Sequence, residues 1–382
     1  MNPSRPLFYI VDWLPPDFGA VGQYGELFAR EIAANEGRRV YLIGLTTGTA
    51  KVERQALDCG ELEVHRINAT KYDKSRIVKR LLWTISTNFR LIREVMRNPE
   101  SRSAEVLFTG APPFMLFFAV PLKLLRRIRL IYRITDFYPE VMIAELGSQN
   151  ILLRLVERFV WFLRQRVDAF EALGEDQRQI LIKGGIAASR ISIKRDRSPI
   201  VWTKQEKACP PPSELIGLKI LLYSGNYGLA HDVDTVVEGL IRHHKNGSAC
   251  FGLWLNASGQ NADAVARRLA MASVPFARSK PVPLHSLGSL LAAADAHLIT
   301  LRSAFSGIVL PSKIYACIES GRPILFVGPI SSDINLLCMQ RDQFPYIRTE
   351  PGDSEGFADA LERFAKESGN VSRSHVAGVR FA

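Results

Sequence analysis

Residues 7–45 read LFYIVDWLPPDFGAVGQYGELFAREIAANEGRRVYLIGL, in which two short apolar runs flank a longer amphipathic one. The runs at 7–13 and 40–45 are rich in β-branched and aromatic residues, as buried strands are. Residues 23–34 space their apolar side chains three and four apart, which is typical of a helix with one buried face. The pattern therefore predicts a strand, a helix and a second strand, the repeating unit of parallel sheets.

The same alternation continues along the chain. In the first half it predicts further strands at 62–67, 105–109, 130–135 and 169–173, and helices at 76–96, 113–125 and 152–164. The pattern lapses over 201–217, where prolines at 210–212 indicate a linker, and it resumes at 218. We therefore predict an α/β protein with two doubly wound, Rossmann-like domains, residues 1–200 and 218–382, that face a central cleft.

The composition is that of a globular protein with a basic first half. Of 382 residues, 47% are hydrophobic and 23% charged, which excludes fibrous and disordered classes. Lys and Arg exceed Asp and Glu by 49 to 38, and residues 1–200 carry +9 of the net charge of +11. This excess indicates an anionic partner, namely phosphate groups, nucleic acid or acidic lipid.

The cysteines and the apolar runs indicate in which cellular compartment the protein works. Five scattered cysteines without C-x-x-C spacing argue against a disulfide framework and a zinc site, and they fit a reducing cytoplasm. We expect no secretion signal, because no apolar run with a cleavage site follows Met1. No uncharged apolar stretch reaches the roughly 18 residues of a membrane-spanning helix.

In each predicted domain, a glycine turn follows the first strand. Gly19 and Gly22 occupy the turn of the first domain, and the sequence GNYG at 225–228 occupies that of the second. Such a turn lets the backbone approach an anion at a helix N-terminus, although a tight turn without a ligand is the alternative. Neither turn matches G-x-G-x-x-G, so a nicotinamide dehydrogenase is not predicted.

The sequence LPSKIY at 310–315 precedes a predicted helix. Ser312 is placed as an N-cap, and Lys313 lies at the positive end of the helix dipole. Amide, hydroxyl and ammonium groups together would hold a diphosphate. The alternative is a plain capped helix with a solvated Lys313.

These motifs resemble the large family of retaining GT-B glycosyltransferases that build bacterial surface polysaccharides (glycosyltransferase group 1, family 4). The similarity is greatest to its WbuB-like branch. It rests on GNYG at 225–228, LPSKIY at 310–315 and GRPI at 321–324, together with TGAPP at 109–113 and RITDFYPE at 133–140. It spans about residues 7–365, and the Pro-Ser-Lys stretch is its most specific part.

The resemblance implies transfer of a sugar from a nucleotide sugar to an acceptor. We expect the donor to be UDP-linked and the acceptor to be a polyprenyl-diphosphate-linked glycan. The anomeric configuration is retained, and no metal or other cofactor is required. The first domain would bind the acceptor and the second the donor. Gly225 and Asn226 would approach the donor phosphates, and Ser312 and Lys313 the leaving diphosphate. Asp136 would orient the donor sugar or accept the nucleophile's proton, with a turn aspartate as the alternative.

The sequence departs from the family at the ribose. Relatives place glutamates at the positions of Ala316 and Ile308 in this chain. Glu319 is included among the donor-binding candidates, but it lies nearly one helical turn beyond Ala316. How the ribose is held therefore stays open.

A basic, partly apolar helix at 76–97 predicts that the first domain docks on an anionic membrane. It carries Trp83, Phe89 and Leu91 among six Lys and Arg residues, and each basic side chain contributes about 1 kcal/mol near such a surface. A core helix with a solvated face is the alternative. We expect a cytoplasmic protein, peripheral to the inner face of the plasma membrane. A nucleotide-sugar epimerase and a non-catalytic GT-B subunit are the rival functions, and no motif indicates nucleic-acid binding.

Overall fold

The computed structural model describes residues 5–17, 20–70, 77–146, 151–200, 202 and 206–367. The chain divides into two compact units, residues 1–195 and 196–382. Each unit is a Rossmann-like α/β layer structure built on a largely parallel sheet, so the predicted fold class is confirmed. The division falls a few residues before the predicted end of the first domain at 200.

The sheet of the first unit has the order β3-β4-β2-β1-β5-β6-β7-β8, and all neighbours are parallel except β3 and β4. Its strands are β1 (Leu7–Trp13), β2 (Arg39–Thr46), β3 (Lys51–Ala56), β4 (Glu61–Asn68), β5 (Glu105–Thr109), β6 (Arg129–Ile134), β7 (Ala169–Ala172) and β8 (Ile191–Ile193). Its helices are α1 (Ala20–Glu36), α2 (Ile77–Arg97), α3 (Leu116–Arg126), α4 (Glu140–Leu146), α5 (Ile151–Arg164) and α6 (Glu175–Lys183).

The strand order of the first unit reverses at β1. The chain runs outward from β1 to β2 and β4, and then crosses to β5 on the other side of β1. Because such crossovers are right-handed, α1 covers one face of the sheet and α2, α3 and α5 cover the other. Ligands of doubly wound sheets bind at the carboxyl edge where the order reverses. This edge carries Asp12 in β1, Gly110 after β5 and Asp136 after β6.

The sheet of the second unit is wholly parallel, in the order β11-β10-β9-β12-β13-β14. Its strands are β9 (Lys219–Asn226), β10 (Phe251–Ser258), β11 (Phe276–Ser279), β12 (Ala296–Thr300), β13 (Ile324–Val327) and β14 (Tyr346–Thr349). Its helices are α7 (Asp234–Asn246), α8 (Gln260–Met271), α9 (Leu284–Ala292), α10 (Lys313–Glu319), α11 (Asp333–Met339) and α12 (Ser354–Glu367).

The strand order of the second unit reverses between β9 and β12, so its ligand edge carries Gly225, Thr300 and the start of α10. The described part of the segment predicted as a linker packs on this unit. Leu215 is fully buried in a core cluster of the unit, and the Cys209 amide donates to the Ser289 carbonyl at 3.0 Å.

Candidate active site

A buried amine lies at the ligand edge of the second unit. Lys313 begins α10, and its Nζ lies 3.4 Å from the centroid of the Tyr223 ring in β9. Within the described part of the chain, this Nζ has no hydrogen-bond partner. Burial lowers the pKa of Lys313 from 10.5 to about 7. Because unpaired donors in a buried place cost free energy, a bound anion would stabilise this group.

Gly225 leaves room beside the amine. A Cβ at this glycine would lie 3.7 Å from both Cε and Nζ of Lys313, so any larger side chain would approach the amine. Its φ of +120° is also one that residues with a side chain rarely adopt. The structure therefore brings Gly225 and Lys313 together, and a glycine is required where the backbone of β9 ends.

Asn226 and Ser312 lie next to this pair in sequence but differ in their contacts. Asn226 is exposed, and its carbonyl accepts a hydrogen bond from the Tyr223 hydroxyl at 2.8 Å. Ser312 has helical backbone angles, and its side chain makes no capping hydrogen bond. Ser312 therefore occupies the N-cap position of α10, as predicted, but without the hydrogen bond that a serine cap provides.

Glu319 lies at the other end of α10 from Lys313, about 9 Å further along the helix axis. Burial raises the pKa of its carboxyl, while hydrogen bonds from Ser198 oppose that rise. The structure does not bring Glu319 to the amine. Ala316 is buried in the core, and Ile308 also offers no carboxylate.

His231 was not among the predicted site residues. Its Nδ1 lies 2.8 Å from the Thr300 carbonyl oxygen, and burial together with Lys313 lowers its pKa to about 3. The imidazole is therefore neutral and must donate through Nδ1, because a carbonyl only accepts. Nε2 is then an acceptor, which suits a hydroxyl group rather than a phosphate oxygen.

Arg302 also follows β12 and was missed. Its side chain is exposed, and its Nη1 donates to the Leu229 carbonyl at 3.2 Å. Its amide donates to Ala230 at 2.8 Å. The guanidinium of Arg302 therefore lies beside the turn that follows GNYG. No local spacing indicates this contact, because Arg302 and that turn are about 70 residues apart in the sequence.

Two partly buried carboxyl groups occupy the ligand edge of the first unit. Asp136 follows β6, and burial raises its pKa to about 6. A Cβ at Gly110 would lie 2.5 Å from the Asp136 carbonyl oxygen, so only glycine lets the two strand ends approach in this way. A carboxyl with a pKa near neutrality can take a proton from a hydroxyl group.

Asp12, near the end of β1, was missed because it falls inside a predicted strand. Burial raises its pKa to about 7, backbone amides of Trp13 and Gly22 lower it, and the charge of Asp136 raises it. Its Oδ1 is buried and accepts no hydrogen bond from any residue that the structure describes. The charge of Asp136 therefore disfavours ionisation of Asp12, and Asp12 offers an unused acceptor.

The first glycine turn is only partly described, since Gly19 lies outside the described residues. Gly22 lies in the first turn of α1, and a Cβ there would be 1.8 Å from the Trp13 carbonyl oxygen. Glycine at 22 therefore allows the helix to approach the end of β1. Because Asp12 lies at the same place, an ionised phosphate would meet a carboxyl group rather than a cation.

Among the side chains that the structure describes on α2, α3 and α5, twelve large apolar ones are exposed, and α3 contacts both of the other helices. They are Leu81, Leu82, Ile85, Phe89, Met96, Leu124, Leu125, Ile151, Leu152, Leu155, Phe159 and Phe162. We call this set the apolar face. Leu91 of α2, in contrast, is a buried core residue. Exposed apolar side chains gathered on neighbouring helices are typical of interaction sites.

No described helix combines the length and the hydropathy that crossing a membrane requires. Among the same residues, no group of three or more His, Cys, Asp or Glu side chains is placed to hold a metal ion.

Comparison with known proteins gives one distant sequence relative and many structural neighbours. No protein-family profile matches the chain. The chain is 22% identical over 347 residues to the probable glycosyltransferase WbjE of Pseudomonas aeruginosa, covering 86% of this chain and 82% of WbjE. The chain is therefore a distant relative of a probable glycosyltransferase.

Among solved structures, the chain is similar to one described as trehalose-6-phosphate from E. coli bound with UDP-2-fluoro glucose. The TM-score is 0.62 at 11% sequence identity, and the match covers 94% of this chain and 91% of that chain. Anabaena HepE in complex with UDP and glucose gives 0.61 at 11% identity, covering 96% and 91%. The lipopolysaccharide outer core galactosyltransferase WaaB gives 0.56 at 12% identity, covering 95% and 91%. At these identities the matches show the fold, which is the GT-B fold.

Proposed function

We propose that the chain is a retaining glycosyltransferase that moves a sugar from a UDP-linked donor to a polyprenyl-diphosphate-linked glycan at a membrane surface. The observation that carries the proposal is the buried, unpartnered amine of Lys313 beside Gly225. The distant relationship to WbjE and the GT-B fold support the reaction class. UDP in the structural neighbours supports the choice of nucleotide.

The donor site works by electrostatics. When the bond between sugar and diphosphate breaks, negative charge grows on the leaving phosphate. A fixed ammonium group at that place stabilises the transition state, and loss of one such donor typically slows turnover by about 10²–10³. Arg302 is a second cation on the same edge, and the neutral His231 offers an acceptor for a sugar hydroxyl.

The acceptor site is assigned to the first unit. Asp136 has a pKa of about 6, so near neutral pH it accepts a proton from the attacking hydroxyl group or orients the donor sugar. Asp12 Oδ1 is a second acceptor for the same ligand. Acceptors of this kind suit a glycan, which presents hydroxyl donors.

Attachment to the membrane is assigned to the apolar face. The same three helices carry basic side chains on or next to them, among them Arg93, Arg97, Arg126, Arg154, Arg158 and Arg166. Apolar groups that enter the lipid and cations that meet anionic headgroups are the two components of interfacial binding. This assignment places the enzyme at the cytoplasmic side of a bilayer that holds its lipid-linked acceptor.

Calorimetric titration with UDP tests the donor assignment. We expect wild type to bind UDP and Lys313→Ala to bind it about ten to a hundred times more weakly, the worth of a charge-assisted hydrogen bond. Lys245→Ala, which removes an exposed amine at the end of α7, is the matched control and should bind normally. Equal affinities for all three proteins would remove the assignment.

The buried Ala316 favours a second candidate, a non-catalytic subunit with this fold. Ala316 and Ile308 leave no carboxylate at the positions where the resembled family places its glutamates. UDP binding without transfer or hydrolysis, across several donors and lipid acceptors, would support this candidate over the enzyme.

A further inference from the structure

Five aromatic rings form a continuous row across one side of the first unit. In order they are Tyr138, Phe114, Phe117, Phe159 and Phe162. Neighbouring ring centroids are 6.1, 5.8, 5.5 and 5.9 Å apart, each within contact distance of aromatic pairs. We call this set the aromatic row.

The aromatic row joins two regions already described. Tyr138 stands two residues after Asp136, and it lines a small hollow with Gly110 and Phe114 at the ligand edge of the first unit. At the other end, Phe159 and Phe162 are 48% and 47% exposed and belong to the apolar face. The row therefore leads from the carboxyl groups to the surface assigned to the bilayer.

The row differs from the aromatic core of the unit. Phe108, Phe137 and Phe170 are fully buried, whereas each ring of the aromatic row is partly or largely exposed. Phe114 has a φ of +65°, a left-handed conformation that is unfavourable for a bulky side chain. Strained residues of this kind cluster at ligand sites, where the surrounding structure holds them.

Charge at the outer end of the row indicates what approaches it. The Arg166 guanidinium lies 3.3 Å from the centroid of the Phe162 ring, so a cation stands where the row reaches the surface. A ligand that enters here must offer an apolar chain to the rings and an anionic surface to the arginine. A lipid drawn from an anionic bilayer has both, whereas a water-soluble sugar has no apolar chain.

We propose that the aromatic row contacts the isoprenoid chain of the lipid-linked acceptor and guides its diphosphate-linked glycan from the bilayer to Asp136. The proposal rests on the proposed function and adds a recognition surface for the lipid itself. It predicts that the enzyme distinguishes acceptors by the length of their apolar chain as well as by their sugar.

The test compares two acceptors in detergent solution, one with a long polyprenyl chain and one with a geranyl chain on the same diphosphate-linked sugar. The double variant Phe159→Ala/Phe162→Ala should lower kcat/KM for the long-chain acceptor by about tenfold or more and leave the short-chain value unchanged. The control Leu27→Ala/Val52→Ala removes apolar side chains of similar exposure from α1 and β3, outside the apolar face, and should leave both values unchanged.

A second measurement needs no transfer activity. The variant Phe159→Trp places a fluorophore in the row, and its emission should shift to shorter wavelength when a long-chain polyprenyl phosphate is added in detergent, but not with geranyl phosphate. A shift without sugar transfer would keep the row and overturn the proposed function. If the enzyme transfers sugar but the ratio of long-chain to short-chain kcat/KM is the same in the double variant as in wild type, the role of the aromatic row is overturned and the proposed function stands.

Two further outcomes would also overturn the row. An equal loss for both acceptors would mean a general effect on the enzyme. A change in molecular mass of the double variant in light scattering, with an unchanged ratio, would mean that a second copy of the chain covers these rings.

Discussion

The two sheets end in edges of opposite chemical character. The edge of the first unit holds two partly buried carboxyl groups, Asp12 and Asp136, and desolvation raises both of their pKa values. The edge of the second unit buries the amine of Lys313, and burial lowers its pKa. In each case the protein stabilises the neutral form, so each edge holds a group whose charge responds to a ligand.

The difference shows how one fold serves two ligands. Both units place glycines where strands end, and both bring their polar groups to the point where the strand order reverses. The fold therefore fixes where a ligand binds, and the side chains determine what it is. An amine that gains a proton suits a diphosphate, and carboxyl groups that accept protons suit hydroxyl groups.

Removing the amine should have the largest effect. Lys313→Ala is expected to lower turnover with a UDP-sugar by about 10²–10³, because the leaving diphosphate loses its fixed cation. Steady-state rates of transfer give the result, and circular dichroism checks the fold. Lys245→Ala should retain normal rates. Turnover of Lys313→Ala within a factor of about three of wild type would contradict the role of the second edge.

Removing the carboxylate of the first edge should have the next largest effect. Asp136→Asn is expected to lower turnover by about a hundredfold, since the amide cannot accept the proton of the attacking hydroxyl. UDP affinity, measured by calorimetry, should stay at the wild-type value because the donor binds to the other unit. Asp58→Asn changes an exposed carboxylate and serves as the control. A fall in UDP affinity with unchanged turnover would reverse the assignment of the two edges.

The pH dependence of UDP affinity should show that UDP binds at the edge of the second unit, where Lys313 lies. The pKa of Lys313 is about 7 in the free protein, and a bound diphosphate raises it, so binding takes up a proton. Affinity should therefore fall as pH rises above 7, approaching about tenfold per pH unit. His231 and Cys317 face the same amine, but with pKa values of about 3 and 12 they do not titrate there.

Calorimetric titration with UDP at several pH values measures how steeply the affinity falls with pH. Lys313→Ala should lose the dependence between pH 7 and 9, because the described groups that face this amine, His231 and Cys317, do not titrate in that interval. An affinity of wild type that is constant over this interval would mean that the phosphates bind away from the amine.

The smallest effect is expected at the membrane. Arg158→Gln removes one exposed cation from α5 and should weaken binding to vesicles that contain anionic lipid by about fivefold, from about 1 kcal/mol per basic residue. Sedimentation with the vesicles measures the bound fraction. Arg267→Gln, on the exposed side of α8, should bind as wild type does. Equal losses for both variants would indicate net charge rather than a docking surface.

Sequence patterns predicted the strands that are buried and missed the four that are mostly not, namely β3, β8, β11 and β14. The run at 105–109 coincides with β5, because a buried parallel strand must be apolar on both faces. In contrast, β3 was not predicted, since KVERQA is polar and largely exposed. It is held by antiparallel pairing with β4 and by ion pairs such as Arg54–Glu63, which no periodicity reveals.

The candidate site shows the same limit. Spacing indicated Gly225 and Lys313, because a glycine turn and a Pro-Ser-Lys stretch are local patterns. Asp12 and His231 were missed, since their significance depends on burial and on neighbours that are distant in sequence. Glu319 was included because it follows Lys313 on the same helix. The seven-residue helix α10, however, places Lys313 at one end and Glu319 at the other, where its carboxyl accepts hydrogen bonds from Ser198.

A crystal structure with UDP tests the central claim most directly, namely that the Lys313 amine binds the leaving diphosphate. We predict a phosphate oxygen of UDP within about 3 Å of Nζ, beside the backbone of Gly225. Phosphates bound elsewhere in the second unit, with the amine still lying over the Tyr223 ring and touching no ligand, would contradict the claim.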